Sequence, residues 1–422
     1  MYYSDVISGF DHPGRSSSDR ATSRKSTTKQ KGLSMQFIDL AFQQRRIREK
    51  IEKGILSILD HGQYIMGPEI KQLETKLAQY CGVSHAVSCA SGTDALLLAL
   101  MAYGIGPGDA VFTSPFTFIA TAEVIQLLGA TPVFVDIDTA TFNIDPNQLA
   151  VALAAIKDGR SKNHPLPKNS KGPLTPKAVI AVDLFGLPAD YHRINRIAGE
   201  FGAIVIEDAA QSFGAEFEGQ KACSLAAVGC TSFFPAKPLG CYGDGGMCFT
   251  EDAQLAAVMD SLRVHGKGTD KYDNVRIGIN GRMDTLQAAI VLSKFSIFPE
   301  EVELRQEVAG RYERLLGGLN GLAVPRMPAG FKSVWAQYSV MAASAEERQR
   351  LQEGLKQAGI PSAVYYPKPL HLQTAFSHLG YKEGEFPHSE DASRRIFSLP
   401  MHPYLKPEEQ ETIADVIKRI AE

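Results

Sequence analysis

Three short stretches set chemistry-bearing residues where neither ordinary surface nor ordinary core calls for them. "TSFFPAKPLGCYGDGG", Thr231–Gly246, sets Lys237 between a strand-like aromatic run ended by Pro235 and a glycine-rich turn. An amine in such an apolar neighbourhood has its pKa lowered by desolvation, which frees it for covalent or proton-transfer chemistry. "AIVIEDAAQSFGA", Ala203–Ala215, closes an apolar strand with Glu207 and Asp208, at the carboxyl end where open α/β sheets bind ligands. A carboxylate there needs a cation or hydrogen-bond donors. "ASGTDALL", Ala90–Leu97, opens a helix with Ser91, Gly92 and Thr93. The unpaired N–H groups of a helix start carry partial positive charge, and Gly92 lets an anion approach the backbone.

Each piece also has a plainer reading: a lysine at an exposed turn, a carboxylate at the sheet edge, a Ser or Thr helix cap. Together they supply what pyridoxal phosphate requires. That cofactor has a phosphate, a ring nitrogen that must stay protonated to accept electrons, and an aldehyde that reacts with an amine. No G-x-G-x-x-G turn follows the 203–207 strand, which counts against a nicotinamide cofactor.

The elements that position these residues follow from periodicity. "RRIREKIEKGILSIL" spaces Ile47, Ile51, Ile55 and Leu59 four apart, and "PEIKQLETKLAQY" repeats the pattern with Pro68 at a helix start. Short apolar runs ("HAVSCA", "AVFTS", "PVFVDI", "AVIAVDLFG", "AIVIEDAA") then alternate with helical ones. That alternation predicts crossover units and a mostly parallel sheet with helices on both faces. After about Glu300 it stops. A long helix leads to "WAQYSVMAA", the helix "AEERQRLQEGLKQAG", the strand-like "SAVYY" and a closing helix at 407–421, which suggests a smaller α+β lobe.

Residues 1–34 are rich in Ser, Arg and Lys without hydrophobic period and read as a disordered extension. Residues 157–177 are basic and proline-rich and read as an exposed loop with nothing to bury. The chain is 44% hydrophobic with a formal net charge of −3, which argues against a nucleic-acid binder held by bulk electrostatics. No apolar run is long enough to span a membrane. The six cysteines lack C-x-x-C spacing and read as reduced, buried thiols of a cytoplasmic protein rather than metal ligands.

With these motifs the chain resembles the DegT-like, pyridoxal-phosphate-dependent nucleotide-sugar aminotransferases. The likeness covers residues 36–420 and rests on "HGQYIMGPE", "SGTDALLLAL", "PFTFIATAE", "FVDID", "IEDAAQSFGA", "SFFPAKPLGCYGDGG" and "GINGRMDTLQAA". It implies an α/β fold of the aspartate-aminotransferase type (fold type I). A mostly parallel seven-stranded sheet would form a large domain over 35–300, with a smaller α+β domain over 301–422.

Roles carry over position by position. Lys237 matches the lysine that binds the cofactor's aldehyde and then moves the substrate proton. Asp208 matches the acid that pairs with the ring nitrogen, and Gln211 the residue that contacts the ring face or its phenolic oxygen. Phe118 matches the stacking aromatic, and Gly92, Thr93 and Ser232 the phosphate contacts. Asn280 matches a residue that reaches the phosphate of a neighbouring subunit, which implies a homodimer with shared sites. Arg282 matches a substrate-carboxylate contact, and Tyr365–Tyr366 stands where relatives carry a His-Tyr pair. His371 and His402 read as structural. Sister dehydratases carry histidine at the Lys237 position, so the lysine favours transamination. Overall similarity points to amination of the 3-keto group of a UDP-linked N-acetylated uronic acid with L-glutamate as donor. Amination at C4, or a non-catalytic regulatory role, are the alternatives.

Overall fold

The strand–helix alternation closes into one sheet. The computed structural model describes residues 35–159, 162–168, 172–270 and 272–421; the 1–34 extension lies outside them. Seven strands form the sheet: β1 (His85–Cys89), β2 (Asp109–Thr113), β3 (Thr131–Phe134), β4 (Thr175–Val182), β5 (Ile204–Asp208), β6 (Val228–Ser232) and β7 (Gly246–Thr250). Their spatial order is β1-β7-β6-β5-β4-β2-β3. β7 runs opposite to the other six strands.

Helices cover both faces, so the strands are buried on each side as near-continuous apolar runs. The helices Gly92–Ala102 and Ala253–Leu262 pack on one face through Leu98, Leu100 and Met259. The helices Pro146–Asp158 and Tyr191–Glu200 pack on the other through Leu149, Leu153 and Ile194. This winding gathers the carboxyl ends of β1, β2, β4, β5 and β6 and the amino end of β7 along one edge.

In the helix Leu40–His61 the buried stripe is Ile47, Ile51 and Ile58, whereas Leu59 is exposed. A strict four-residue spacing turns about 40° around the helix at each step, and a seven-residue step returns to the same face.

The small lobe carries an antiparallel sheet of Leu322–Ala323, Tyr338–Ala342 and Ile396–Leu399, covered by the helices Phe298–Leu316, Ala345–Gln357 and Pro407–Ala421. The 300–301 boundary falls inside the helix Phe298–Leu316. Phe298 and Val302 pack into the large core, and Val308, Tyr312 and Leu316 into the small one. Met35 packs on the small core, and the Met401 N–H donates to the Phe37 carbonyl, so the start of the described chain lies with the small lobe.

Two expectations need correction. "SAVYY" forms no strand: a single bridge, Ala363 to Ser398, is all it makes. The 157–177 stretch is not simply exposed. His164 is buried with Nε2 2.8 Å from the Phe134 carbonyl, and the Lys168 N–H donates to the Leu379 carbonyl. These bonds tie the loop to β3 and to the small lobe.

Asp136, in "FVDID", joins the lobes by accepting from the N–H groups of His388 and Ser389 at 2.9 Å each, at the start of the helix Pro387–Arg395. An acidic side chain there satisfies N–H groups that the helix leaves unpaired. Among the described residues no helix is long and apolar enough to cross a membrane.

Candidate active site

The shared sheet edge brings the three stretches together. Ser91 caps the helix Gly92–Ala102 by accepting from the Asp94 N–H at 3.0 Å, so the capping reading of this serine holds. The space around the helix start is set by glycine. A Cβ on Gly92 would lie 2.6 Å from the Ser232 Cβ, and one on Gly246 would lie 2.2 Å from the Ser91 carbonyl oxygen. Gly92 therefore packs directly on Ser232, with Thr93 next along the helix, where β1 and β6 end and β7 begins. Ser232 Oγ accepts from the Phe234 N–H at 3.2 Å, which fixes the hydroxyl beside it.

Asp208 ends β5 and is only 5% exposed. Its Oδ2 accepts from the Thr121 hydroxyl at 2.8 Å and its Oδ1 from the Ala210 N–H at 3.2 Å. Burial raises its pKa, against the pull of those two donors and of the Lys237 charge. Lys237 is in turn lowered by burial, against the opposing Asp208 charge. An anion buried among neutral donors is under-compensated, and a protonated ring nitrogen would supply the missing cation. An amine shifted down, a buried carboxylate whose hydrogen bonds come from neutral donors and a glycine-opened helix start fit pyridoxal phosphate.

Glu207 takes no part in this cleft. Side chains alternate along a strand, so it points to the opposite face. There it accepts from the Cys223 and Leu225 N–H groups at 2.6 and 2.9 Å.

Gln211 bridges the cleft wall. Its Oε1 accepts from the Phe185 N–H at 2.9 Å, and its Nε2 donates to the Tyr366 hydroxyl at 3.2 Å. Tyr366 is half-buried and lies near Phe116 and Phe118, with ring centroids 6.3 and 6.4 Å away. The two phenylalanines part ways: Phe116 is core, whereas Phe118 is 55% exposed. Tyr365 packs against Phe37 at 6.5 Å.

Asn280 and Arg282 meet each other, with Arg282 Nη2 donating to Asn280 Oδ1 at 2.7 Å. Their segment touches the end of β1, since the Ala90 N–H donates to the Gly281 carbonyl. Asn280 is exposed. His371 is buried against Glu390, and burial lowers His402 to about 4, away from the cleft chemistry.

Sequence reasoning missed Thr121, Asp183 and Phe185. No local signal ties Thr121 to Asp208, which lies 87 positions away.

The profile of the DegT/DnrJ/EryC1/StrS aminotransferase family matches residues 45–418. The chain is 47% identical over 371 residues to the UDP-2-acetamido-2-deoxy-3-oxo-D-glucuronate aminotransferase of Pseudomonas aeruginosa, spanning 88% of this chain and 96% of that one. It is 41% identical over 392 residues to a pleiotropic regulatory protein of Geobacillus stearothermophilus, spanning 92% and 98%. The crystal structure of a DegT DnrJ EryC1 StrS aminotransferase from Brucella abortus superposes with a TM-score of 0.85 at 50% identity, covering 91% of this chain and 99% of that one. With a matching profile over most of its length, the chain belongs to the DegT/DnrJ/EryC1/StrS aminotransferase family.

Proposed function

We propose that the protein moves the amino group of L-glutamate, through pyridoxal phosphate, to the 3-keto group of a UDP-linked 2-acetamido uronic acid. This would serve diacetamido-sugar and surface-polysaccharide synthesis in the cytoplasm. The observation that carries the reading is the joint placement of Lys237, Asp208 and the Gly92–Ser232 contact at one sheet edge. The likeness to the Pseudomonas enzyme supports the substrate class.

Bound there, pyridoxal phosphate supplies an aldehyde to carry the amino group and a ring that draws electrons from the carbon being deprotonated. Gly92, Thr93 and Ser232 hold the phosphate. Asp208 keeps the ring nitrogen protonated, and Phe118 covers one ring face. Gln211, fixed by Phe185 and Tyr366, lies against the ring or its phenolic oxygen. Lys237 Nζ, lowered by burial, takes the proton from the substrate carbon and returns it on the far side of the transfer. Arg282 binds the uronate carboxylate in bidentate fashion. Tyr365 and Tyr366 offer hydroxyls to the sugar. The distant uridine diphosphate contributes binding energy that orients the keto carbon.

The working unit in this reading is a homodimer with Asn280 reaching into the partner's site. Apolar side chains near that segment support it: Ile277 is 89% exposed, Val275 54% and Ile65 48%. A monomer rarely leaves such a patch uncovered.

The test combines a glutamate half-reaction followed by absorbance with a panel of 3-keto and 4-keto nucleotide sugars, the products being identified by mass and NMR. Amination at C3 of the UDP-linked uronic acid, abolished in Lys237→Ala, is the expected result. Amination only at C4 would overturn the substrate. The likeness to a regulatory protein gives a second reading, which a cofactor-loaded protein that releases no 2-oxoglutarate would favour.

A further inference from the structure

Behind Asp208 lies a second acidic feature that the transamination scheme does not use. Asp183 directly follows β4 and Glu207 is the penultimate residue of β5; both are fully buried. Asp183 Oδ1 accepts from the Ala189 N–H at 2.9 Å and the Tyr191 hydroxyl at 2.8 Å, and Oδ2 accepts from the Ser212 hydroxyl at 2.6 Å. Glu207 accepts from the Cys223 and Leu225 N–H groups. Among the described residues no salt bridge reaches either carboxyl. Asp183 stands two residues beyond Ala181, which pairs with Glu207 in the β4–β5 register, so the two acids lie at the ends of neighbouring strands. Two carboxylates can share a hydrogen bond only if one of them carries a proton.

The three bonds to Asp183 hold both sides of the cleft wall. Ser212 lies on the turn that follows Asp208 and adjoins Gln211. Ala189 and Tyr191 end the loop whose Phe185 N–H holds Gln211 from the other side, with Phe185 itself in the left-handed region at φ 60°. In addition, the Asp183 N–H donates to the Asp208 carbonyl at 3.1 Å.

We propose that Asp183 is a positioning residue for the ring end of the site. Its carboxyl is held protonated beside Glu207, and the hydrogen bonds it accepts clamp the turn after Asp208 against the Leu184–Tyr191 loop. The proposal rests on the reading of Asp208 as the acid at the ring nitrogen. With the proton in place the ends of β4 and β5 stay in register, Val182 beside Asp208. Without it, a buried Asp183 carboxylate would lie beside Glu207 with no cation to pair it.

The titratable groups around the pair cannot compensate it. Tyr191 from the helix Tyr191–Glu200, Cys223 from the loop before β6 and Cys230 on β6 are all raised by burial and stay neutral, and Asp208 is itself acidic. Burial pushes Asp183 up to about 7 and Glu207 well above the carboxylate range. Both carboxyls therefore hold protons more tightly folded than unfolded. The stability they contribute is full below the unfolded carboxyl range, near pH 4, and is lost as pH rises toward and through about 7.

Asp183→Asn mimics the protonated pair. Its amide donates to Glu207, and the Ser212 hydroxyl can rotate to accept. The experiment measures pyridoxal phosphate affinity and thermal unfolding of the cofactor-free protein between about pH 5.5 and about pH 8.5, a window that brackets the shifted carboxyl. In the natural sequence, affinity should weaken roughly tenfold across that range and the unfolding midpoint should fall, as one lost proton of coupling implies. In Asp183→Asn both should be flat, with affinity within about threefold of the low-pH value, and the part of the protonated-carboxyl infrared band that titrates across this window should disappear. Asp183→Ala should bind the cofactor at least tenfold more weakly at every pH, since it leaves buried donors unpaired.

An identical pH limb in the natural protein and Asp183→Asn would overturn the proposal, as would unaltered cofactor affinity in Asp183→Ala. Should Asp183→Ala not fold, the comparison with Asp183→Asn decides alone. Asp208→Asn separates the two readings. If it turns over normally, the assignment of Asp208 fails, while the limb of the cofactor-free protein still judges the carboxyl pair.

Discussion

Asp208→Asn isolates charge from shape. The carboxylate is held by two neutral donors, the Thr121 hydroxyl on Oδ2 and the Ala210 N–H on Oδ1. An asparagine with its carbonyl toward Ala210 keeps that bond. Its amide can donate to Thr121, whose hydroxyl has Thr117 Oγ1 at 3.1 Å as an alternative acceptor. Geometry therefore survives and only the negative charge is lost. Opposite charges about 4 Å apart interact by about 4 kcal/mol at the effective dielectric typical of protein sites. If that interaction matters fully in the transition state, the loss is roughly a thousandfold in rate. Stopped-flow absorbance of the glutamate half-reaction measures it, with bound cofactor quantified in parallel. We expect kcat to fall about a thousandfold with the cofactor retained and with no loss of thermal stability in the cofactor-free protein, because a costly buried charge has gone. A kcat within tenfold of the natural value, with cofactor bound, would refute the role of Asp208.

Gly92→Ala drives a methyl to 2.6 Å from the Ser232 Cβ, an overpacking that costs about 1–3 kcal/mol and falls on the phosphate cradle. Titration of the cofactor-free protein should show affinity for pyridoxal phosphate reduced about tenfold or more; unchanged affinity would remove the cradle from the site. Phe118→Ala should weaken cofactor binding only about two- to tenfold, the scale of one aromatic contact, and leave the unfolding midpoint unchanged because the ring is more than half exposed. A drop in stability like that expected for buried Phe116 would show Phe118 to be core instead.

The chemistry was legible because its residues carry local signatures. A lysine trapped between aromatics and glycines, an acid ending an apolar run and a helix opening on Ser-Gly-Thr can all be read within a few positions. The sheet was legible for the same reason, since strand and helix periods alternate cleanly up to about Glu300. What the sequence hid is long-range. Thr121 reaches Asp208 across 87 positions, and Asn143 donates to the Leu187 carbonyl across 44. The packing of His164 against Phe134 depends on where β3 ends in space, which the basic, proline-rich texture of its own loop does not reveal. The Phe298–Leu316 helix divides its contacts between two cores, so no change in composition marks a boundary there.

The Gln211–Tyr366 hydrogen bond has a consequence for how the two lobes can move. Gln211 follows a large-lobe strand and Tyr366 follows the small-lobe helix Ala345–Gln357, so one wall of the catalytic chamber is assembled from both bodies. A relative movement of the two lobes along this wall would break that pair. The candidate site keeps this wall only while the lobes stay together.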